Sequence, residues 1–251
     1  MIEFEQVRRS YGDRLAVDGL NLRVAAGELY SLLGHNGAGK TTTIKLVVGL
    51  LRPESGIVRV GGYDVVTQAR LAASLTGYVP DLPFLYEKLT GREFLQFVAQ
   101  MHGLDATQAA RAIDREIERF ELADFADELT ERYSHGMKQR TVFASAMLNS
   151  PRALLLDEPL VGLDPHSIRL VKDLLSAEGK AGMCVLMSTH TLAAAEEISH
   201  RVGIMSNGKL IFDGTLAELR QRFPAEQQSL ESMYLAMTES APYAPPPAES
   251  P

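Results

Sequence analysis

The sequence predicts an α/β protein: a parallel-sheet core, an N-terminal antiparallel β subdomain and an inserted helical subdomain. Three observations predict it. The apolar runs at residues 153–157 and 183–187 suit strands covered on both faces. A glycine-rich loop, residues 34–39, lies between an apolar run and a helix start. Residues 90–149 carry helical spacing and no convincing strand, between stretches that have both.

Each element follows from local pattern. Residues 3–7, 21–24 and 28–33 are short β-rich runs, punctuated by Tyr11-Gly12-Asp13 and Asp18-Gly19. Glycines 34, 37 and 39 lead into a helix beginning near Lys40. Strand signals return at 56–60 and 77–80. Thr90 and Glu93 form a T-x-x-E capping box, and Phe94, Phe97, Val98 and Met101 follow at i, i+3, i+4 and i+7. Ile113, Ile117 and Phe120 repeat that spacing in a second helix. Helices are expected at 165–177 and 192–198 between the buried strands, and at 230–237. The expected organisation is one domain over residues 1–239, with a helical subdomain at about 83–149 inserted in the α/β core. Residues 241–251 hold five of the twelve prolines, so 240–251 reads as a disordered, Pro-rich tail.

Composition excludes several classes of function. Hydrophobic residues at 45% and charged residues at 23% fit a globular chain rather than a disordered or fibrous one. A net charge of −7 is a poor match to duplex DNA, so no nucleic-acid partner is expected. The longest apolar runs fall far short of the ~20 residues of a membrane span, and the opening MIEFEQVRRS shows no leader pattern. With Cys184 alone, neither an internal disulfide nor a cysteine zinc cluster is expected.

The chemistry concentrates in two places. Gly34-His35-Asn36-Gly37-Ala38-Gly39-Lys40-Thr41 matches G-x-x-x-x-G-K-[ST] in full. Glycines let successive backbone N–H groups converge on phosphate oxygens, and the following helix, which begins near Lys40 and carries Thr42 as a further candidate binding residue, adds its positive N-terminus. Lys40 supplies a point charge to the β/γ-phosphates, and the Thr41 hydroxyl is suited to ligate Mg²⁺. This predicts a P-loop NTPase core. The second place is Asp157-Glu158, ending the buried run 153–157. Carboxylates at the C-terminal end of such a strand face the ligand crevice. Asp157 suits Mg²⁺, and Glu158 suits general-base work on an attacking water.

Tyr133-Ser134-His135-Gly136-Met137 resembles the L-S-G-G-Q signature of ABC-type ATPases. The order of phosphate loop, helical insertion, signature, Asp-Glu strand, Leu163-Asp164 and His190 is also similar to that family, over about residues 1–214. The resemblance implies ATP and Mg²⁺, with two such domains packed head to tail, as a homodimer or a heterodimer. Each ATP would lie between one chain's phosphate loop and the other's Ser134 and Gly136. A hydroxyl and an N–H at a helix N-terminus suit a γ-phosphate, and Ser134 also suits a plain N-cap. Tyr11 looks like the family's adenine-stacking aromatic, His190 like its switch histidine, and Asp164 like its inter-subunit aspartate.

The chain departs from the family pattern at His135, Met137 and Val161. The clearest departure is Asp81, where the family's Mg²⁺-reaching glutamine normally stands. An oxygen ligand is retained. The resemblance implies an ATPase subunit that powers transport, in the multidrug and antibiotic exporter branch. It would sit on the cytoplasmic face of the membrane, held there by a separate integral-membrane subunit. The apolar 82–86 run suits either that subunit or packing under the helical insertion. Two alternatives are a non-transport ATPase of translation or DNA repair, and a regulator that binds ATP without hydrolysing it. The single, insertion-poor acidic chain counts against the first, and intact Lys40, Asp157, Glu158 and His190 count against the second.

Overall fold

The computed structural model describes residues 1–224 and 229–239. The Pro-rich segment expected at 240–251 lies outside the described residues. In chain order the elements are β1 (Ile2–Tyr11), β2 (Arg14–Val24), β3 (Leu29–Leu33), α1 (Lys40–Val47), β4 (Ser55–Val60), β5 (Tyr63–Asp64), α2 (Ala69–Ser74) and β6 (Thr76–Val79). Then come α3 (Gly91–Met101), α4 (Ala106–Arg119), a 3-10 turn (Thr130–Arg132) and α5 (His135–Met147). The chain continues through β7 (Ala153–Asp157), α6 (Pro165–Lys180), β8 (Cys184–Thr189), α7 (Leu192–Ile198), β9 (Arg201–Ser206), β10 (Lys209–Gly214), α8 (Leu216–Arg220) and α9 (Leu230–Glu239).

Two sheets result. The N-terminal one is antiparallel, in the order β2-β1-β4-β5. The second runs β10-β9-β3-β8-β7-β6; its strands are parallel except β10, which pairs antiparallel with β9. Every residue of β3, β7 and β8 is buried, as strands covered on both faces must be. The period of two divides their side chains between two cores. Leu154, Leu156, Val185 and Met187 face a core shared with α3, α4 and α5. Ala153, Leu155, Cys184 and Leu186 face a core shared with α1 and the N-terminal sheet.

The Thr90 capping box forms in full: the Glu93 amide donates to the Thr90 hydroxyl at 3.1 Å, and the Thr90 amide to Glu93 at 2.8 Å. The face of α3 differs from the one the spacing predicted. Phe94 is buried, with Leu95 and Ala99, but Met101 is 74% exposed and Phe97 is partly exposed. The stripe is too wide for one core contact, so half of it faces outward. The β9–β10 hairpin was absent from the sequence reading. Its turn is Asn207-Gly208, both at positive φ (48° and 78°), the dipeptide that a two-residue hairpin turn favours.

Candidate functional site

The loop after β3 and the N-terminus of α1 form the floor of a cleft at the C-terminal ends of the parallel strands. Gly39 holds φ 112°, and a Cβ there would sit 2.2 Å from the Ala16 carbonyl oxygen. Only glycine lets the loop approach β2 so closely. Gly34, Gly37 and Gly39 shape the loop, the His35 ring nitrogen lies 2.8 Å from the Asn36 carbonyl, and the Ala38 amide donates to the His35 carbonyl at 3.1 Å. The cavity above, about 590 Å³, is lined by Tyr11, Asn36, Lys40, Thr41, Thr42 and Asp81, among others. Ala38 is fully buried and contributes backbone alone.

Lys40 is buried, and its Nζ donates to the Gly34 carbonyl at 2.7 Å. It also lies 3.4 Å from Glu158 Oε1. Glu158 stands one residue past β7 at φ 49°, an uncommon value for a residue with a Cβ. Its amide holds the Ser188 carbonyl at 3.1 Å, which fixes the turn that aims its side chain into the cleft. The other oxygen, Oε2, lies 3.0 Å from His190 Nδ1 and accepts from the His190 amide at 3.1 Å. One carboxylate thus touches both a lysine and a histidine.

Asp157 closes β7. Its Oδ1 accepts from the Thr41 hydroxyl at 3.1 Å and from the Ser188 hydroxyl at 2.5 Å. Burial pushes its carboxyl above the usual carboxylate range, more than these hydrogen bonds lower it, and the charges of Asp81 and Glu158 add to the rise. The donor set is therefore oxygen-only, with surplus negative charge: Thr41, Asp157 and Asp81. Hard-cation chemistry fits this set. Among the described residues no group of three carboxylates, histidines or cysteines could hold a metal ion. A magnesium ion here needs further oxygens, such as those of a nucleotide.

Ser134 and Gly136 do not line this cleft. Ser134 caps α5, accepting from the Met137 amide at 3.3 Å. Gly136 faces the start of α6, where a Cβ would meet Asp164 Oδ2 at 3.6 Å. Asp164 in turn caps α6, taking the His166 and Ser167 amides at 3.0 Å each. Two positions that depart from the family pattern meet here, His135 Nε2 lying 3.1 Å from the Val161 carbonyl. Sequence reasoning missed Ser188 and Arg14. Ser188 ties the two acidic residues to β8, and no local signal marks it. Arg14 lines the cleft and donates to the Gly37 carbonyl at 2.7 Å. The two-residue turn after Tyr11 was the available signal, since it places position 14 directly opposite.

The 82–86 run divides. Leu85 is buried, whereas Leu82 is 77% and Phe84 68% exposed. Tyr86 links Phe84 and Phe97 by edge contacts at 5.6 and 5.5 Å between ring centres.

Residues 17–161 match the ABC transporter family. The chain is 37% identical over 219 residues to the daunorubicin resistance ATP-binding protein DrrA3 of Streptomyces coeruleorubidus, covering 87% of this chain and 69% of that one. It is 37% identical over 218 residues to the Nod factor export ATP-binding protein I of Paraburkholderia xenovorans, covering 87% and 72%. A solved ATP-binding subunit of an ABC transporter superposes with a TM-score of 0.88 at 31% identity, over 94% of this chain and 99% of that one. The dimeric bacterial ABC transporter cassette MJ0796 superposes with a TM-score of 0.79 over 86% and 98%; at 23% identity it shows the fold alone. No helix among the described residues is long and apolar enough to cross a membrane.

Proposed function

The chain belongs to the ABC transporter family as an ATP-binding, ATP-hydrolysing subunit, and from that premise we propose how its residues divide the work. The observation that carries the reading is the Glu158 carboxylate held between Lys40 and His190 at the rim of the phosphate cleft. The phosphate loop, residues 34–41, wraps the nucleotide's phosphates with backbone N–H groups, and Lys40 draws the β/γ oxygens. Tyr11 offers its half-exposed ring to adenine. Thr41, Asp157 and Asp81 would hold Mg²⁺, which would supply neutralisation of phosphate charge.

Glu158 takes the proton of the attacking water as its oxygen bonds to the γ-phosphorus. The bond from that phosphorus to the ADP oxygen breaks, and ADP leaves with the electron pair. His190, tethered to Glu158 through both its ring and its amide, orients the carboxylate and stands beside the γ-phosphate.

Ser134 and Gly136, remote from their own chain's cleft, supply the second wall of a partner's site in a head-to-tail dimer of such domains, identical or paired with a related one. ATP closes the dimer and hydrolysis opens it, a population shift driven by differential binding. The exposed Leu82, Phe84 and Met101 offer an apolar surface to an integral-membrane subunit, and with that subunit the chain would sit on the cytoplasmic face of the membrane. Residues from about 83 to 149, which carry Phe84 and Met101 of that surface, act as a helical insertion within a domain spanning 1–239. The relatives named for drug resistance and Nod factor export support export as the direction.

An ATPase assay on the purified chain tests the reading. Glu158→Gln lowers turnover by about 10²–10⁴-fold, the range for loss of a general base. A variant as fast as the wild type places the base elsewhere.

A further inference from the structure

We infer that Arg14, outside the phosphate-loop motif, is a second phosphate-binding residue of the nucleotide site and takes the phosphate nearest the sugar; this rests on the nucleotide reading above. The placement begins with the hairpin. β1 and β2 join through Gly12-Asp13, with Gly12 at φ 57°. Their register pairs Tyr11 directly with Arg14. The adenine platform and the guanidinium therefore leave the same hairpin end together. From there Arg14 reaches across to the phosphate loop, where its Nη2 donates to the Gly37 carbonyl at 2.7 Å. The approach is close: a Cβ on Gly37 would stand 2.6 Å from that nitrogen.

Two cations line the cleft, Lys40 and Arg14, and their electrostatic situations differ. Lys40 faces Glu158. Arg14 has no carboxylate partner within ion-pair distance among the described residues; its observed acceptor is a neutral carbonyl. A guanidinium carries five N–H donors in a planar fork. The Gly37 contact uses one side of it and leaves donors free over the cleft. Arg14 lines the cleft together with Tyr11 and the loop residues Asn36, Gly37 and Gly39. An incoming anion there gains a charge-assisted hydrogen bond without displacing a competing carboxylate. The β/γ end of the chain belongs to Lys40, so the oxygens within reach of Arg14 are those of the α-phosphate.

The chemistry of replacement separates this role from a mere brace on the loop. Calorimetry on the full chain, with ATP and with ADP, compares wild type, Arg14→Ala, Arg14→Gln, Arg14→Lys and a Lys40→Ala control. Ala and Gln variants should bind both nucleotides about tenfold more weakly, because each nucleotide carries the α-phosphate. The Lys variant, which keeps the charge, should stay within about threefold. In steady state the Ala variant should raise KM by a similar factor with kcat nearly unchanged, as loss of uniform binding requires. Unchanged melting by circular dichroism confirms that each variant is folded.

If Gln restores binding as well as Lys, Arg14 only braces Gly37 and the inference is overturned. It is also overturned if the Ala variant binds like wild type while Lys40→Ala binds weakly, or if ATP weakens and ADP does not. A wild-type chain that binds neither nucleotide, or a Lys40→Ala chain that binds as wild type, rejects instead the nucleotide reading on which the inference rests.

Discussion

Lys40 Nζ lies 3.4 Å from Glu158 Oε1, both side chains almost wholly buried at the mouth of the phosphate cleft. In the protein alone, the residue suited to bind the γ-phosphate and the residue suited to activate water neutralise each other. A buried charge left without a partner is costly, so each holds the other in place. In the proposed mechanism an arriving triphosphate competes with Glu158 for Lys40 and frees the carboxylate to accept a proton.

Removing the lysine tests the phosphate end. Lys40→Ala deletes the charge nearest the β/γ-phosphates and should lower ATP affinity at fixed Mg²⁺ by at least about tenfold. Calorimetry reads it directly. Unchanged affinity would contradict the assignment of the loop.

Asp81 lines the cleft close enough to Asp157 to raise the latter's affinity for its proton. Asp81→Gln keeps an oxygen ligand and should sustain transport in a reconstituted complex. Asp81→Ala should lower transport far more than ATP affinity, because the position is proposed to link the nucleotide site to the membrane subunit. Full transport by the Ala variant would remove position 81 from the mechanism.

The double variant Leu82→Ser, Phe84→Ser should leave the isolated chain folded, with stability changed by about 0.5 kcal/mol or less per site, since both side chains are mostly exposed. It should nevertheless lose the membrane subunit on co-purification. Retention of that subunit would show that it docks elsewhere.

Glu116 is fully buried on α4, against Arg115 at 2.6 Å and Arg119 at 3.8 Å. Burial raises its carboxyl above the ordinary 4.5, although both arginines oppose the rise. An acid whose pKa is raised on folding binds its proton more tightly in the folded state. Its stabilising effect is thus present below the unfolded value and is lost as pH rises through the folded one. The stability of wild type relative to Glu116→Gln should therefore fall as pH rises above the ordinary 4.5, read from urea midpoints. A constant or rising difference would contradict the buried, proton-favouring environment.

Much of this was legible in the sequence because the signals were local. The phosphate loop is contiguous, the buried strands are continuous apolar runs, and the Thr90 capping box spans four residues. What escaped depends on contacts remote in sequence. Ser188 reaches Asp157 across two paired strands, and nothing near Ser188 marks it. The outward half of the α3 stripe, Phe97 and Met101, was indistinguishable from its inward half by spacing, since an apolar surface for a partner has the same period as one for a core. The β9–β10 hairpin is different, because its signal is local: Asn207-Gly208 is a dipeptide that favours a two-residue turn. Ser134 and Gly136 were singled out by resemblance, yet in the folded chain Ser134 caps α5, Gly136 faces Asp164, and neither lines the cleft. The proposed dimer gives them their role on a partner's nucleotide, away from their own phosphate loop.

That sharing is the central claim, and size-exclusion chromatography with MgATP tests it most directly. Glu158→Gln keeps size and a hydrogen-bonding oxygen but cannot take the proton, so ATP should persist and hold two chains together. The account predicts a dimer for Glu158→Gln with MgATP, a monomer without nucleotide, and a monomer again when Ser134→Arg is added. A dimer that survives in the Glu158→Gln, Ser134→Arg double variant would contradict it.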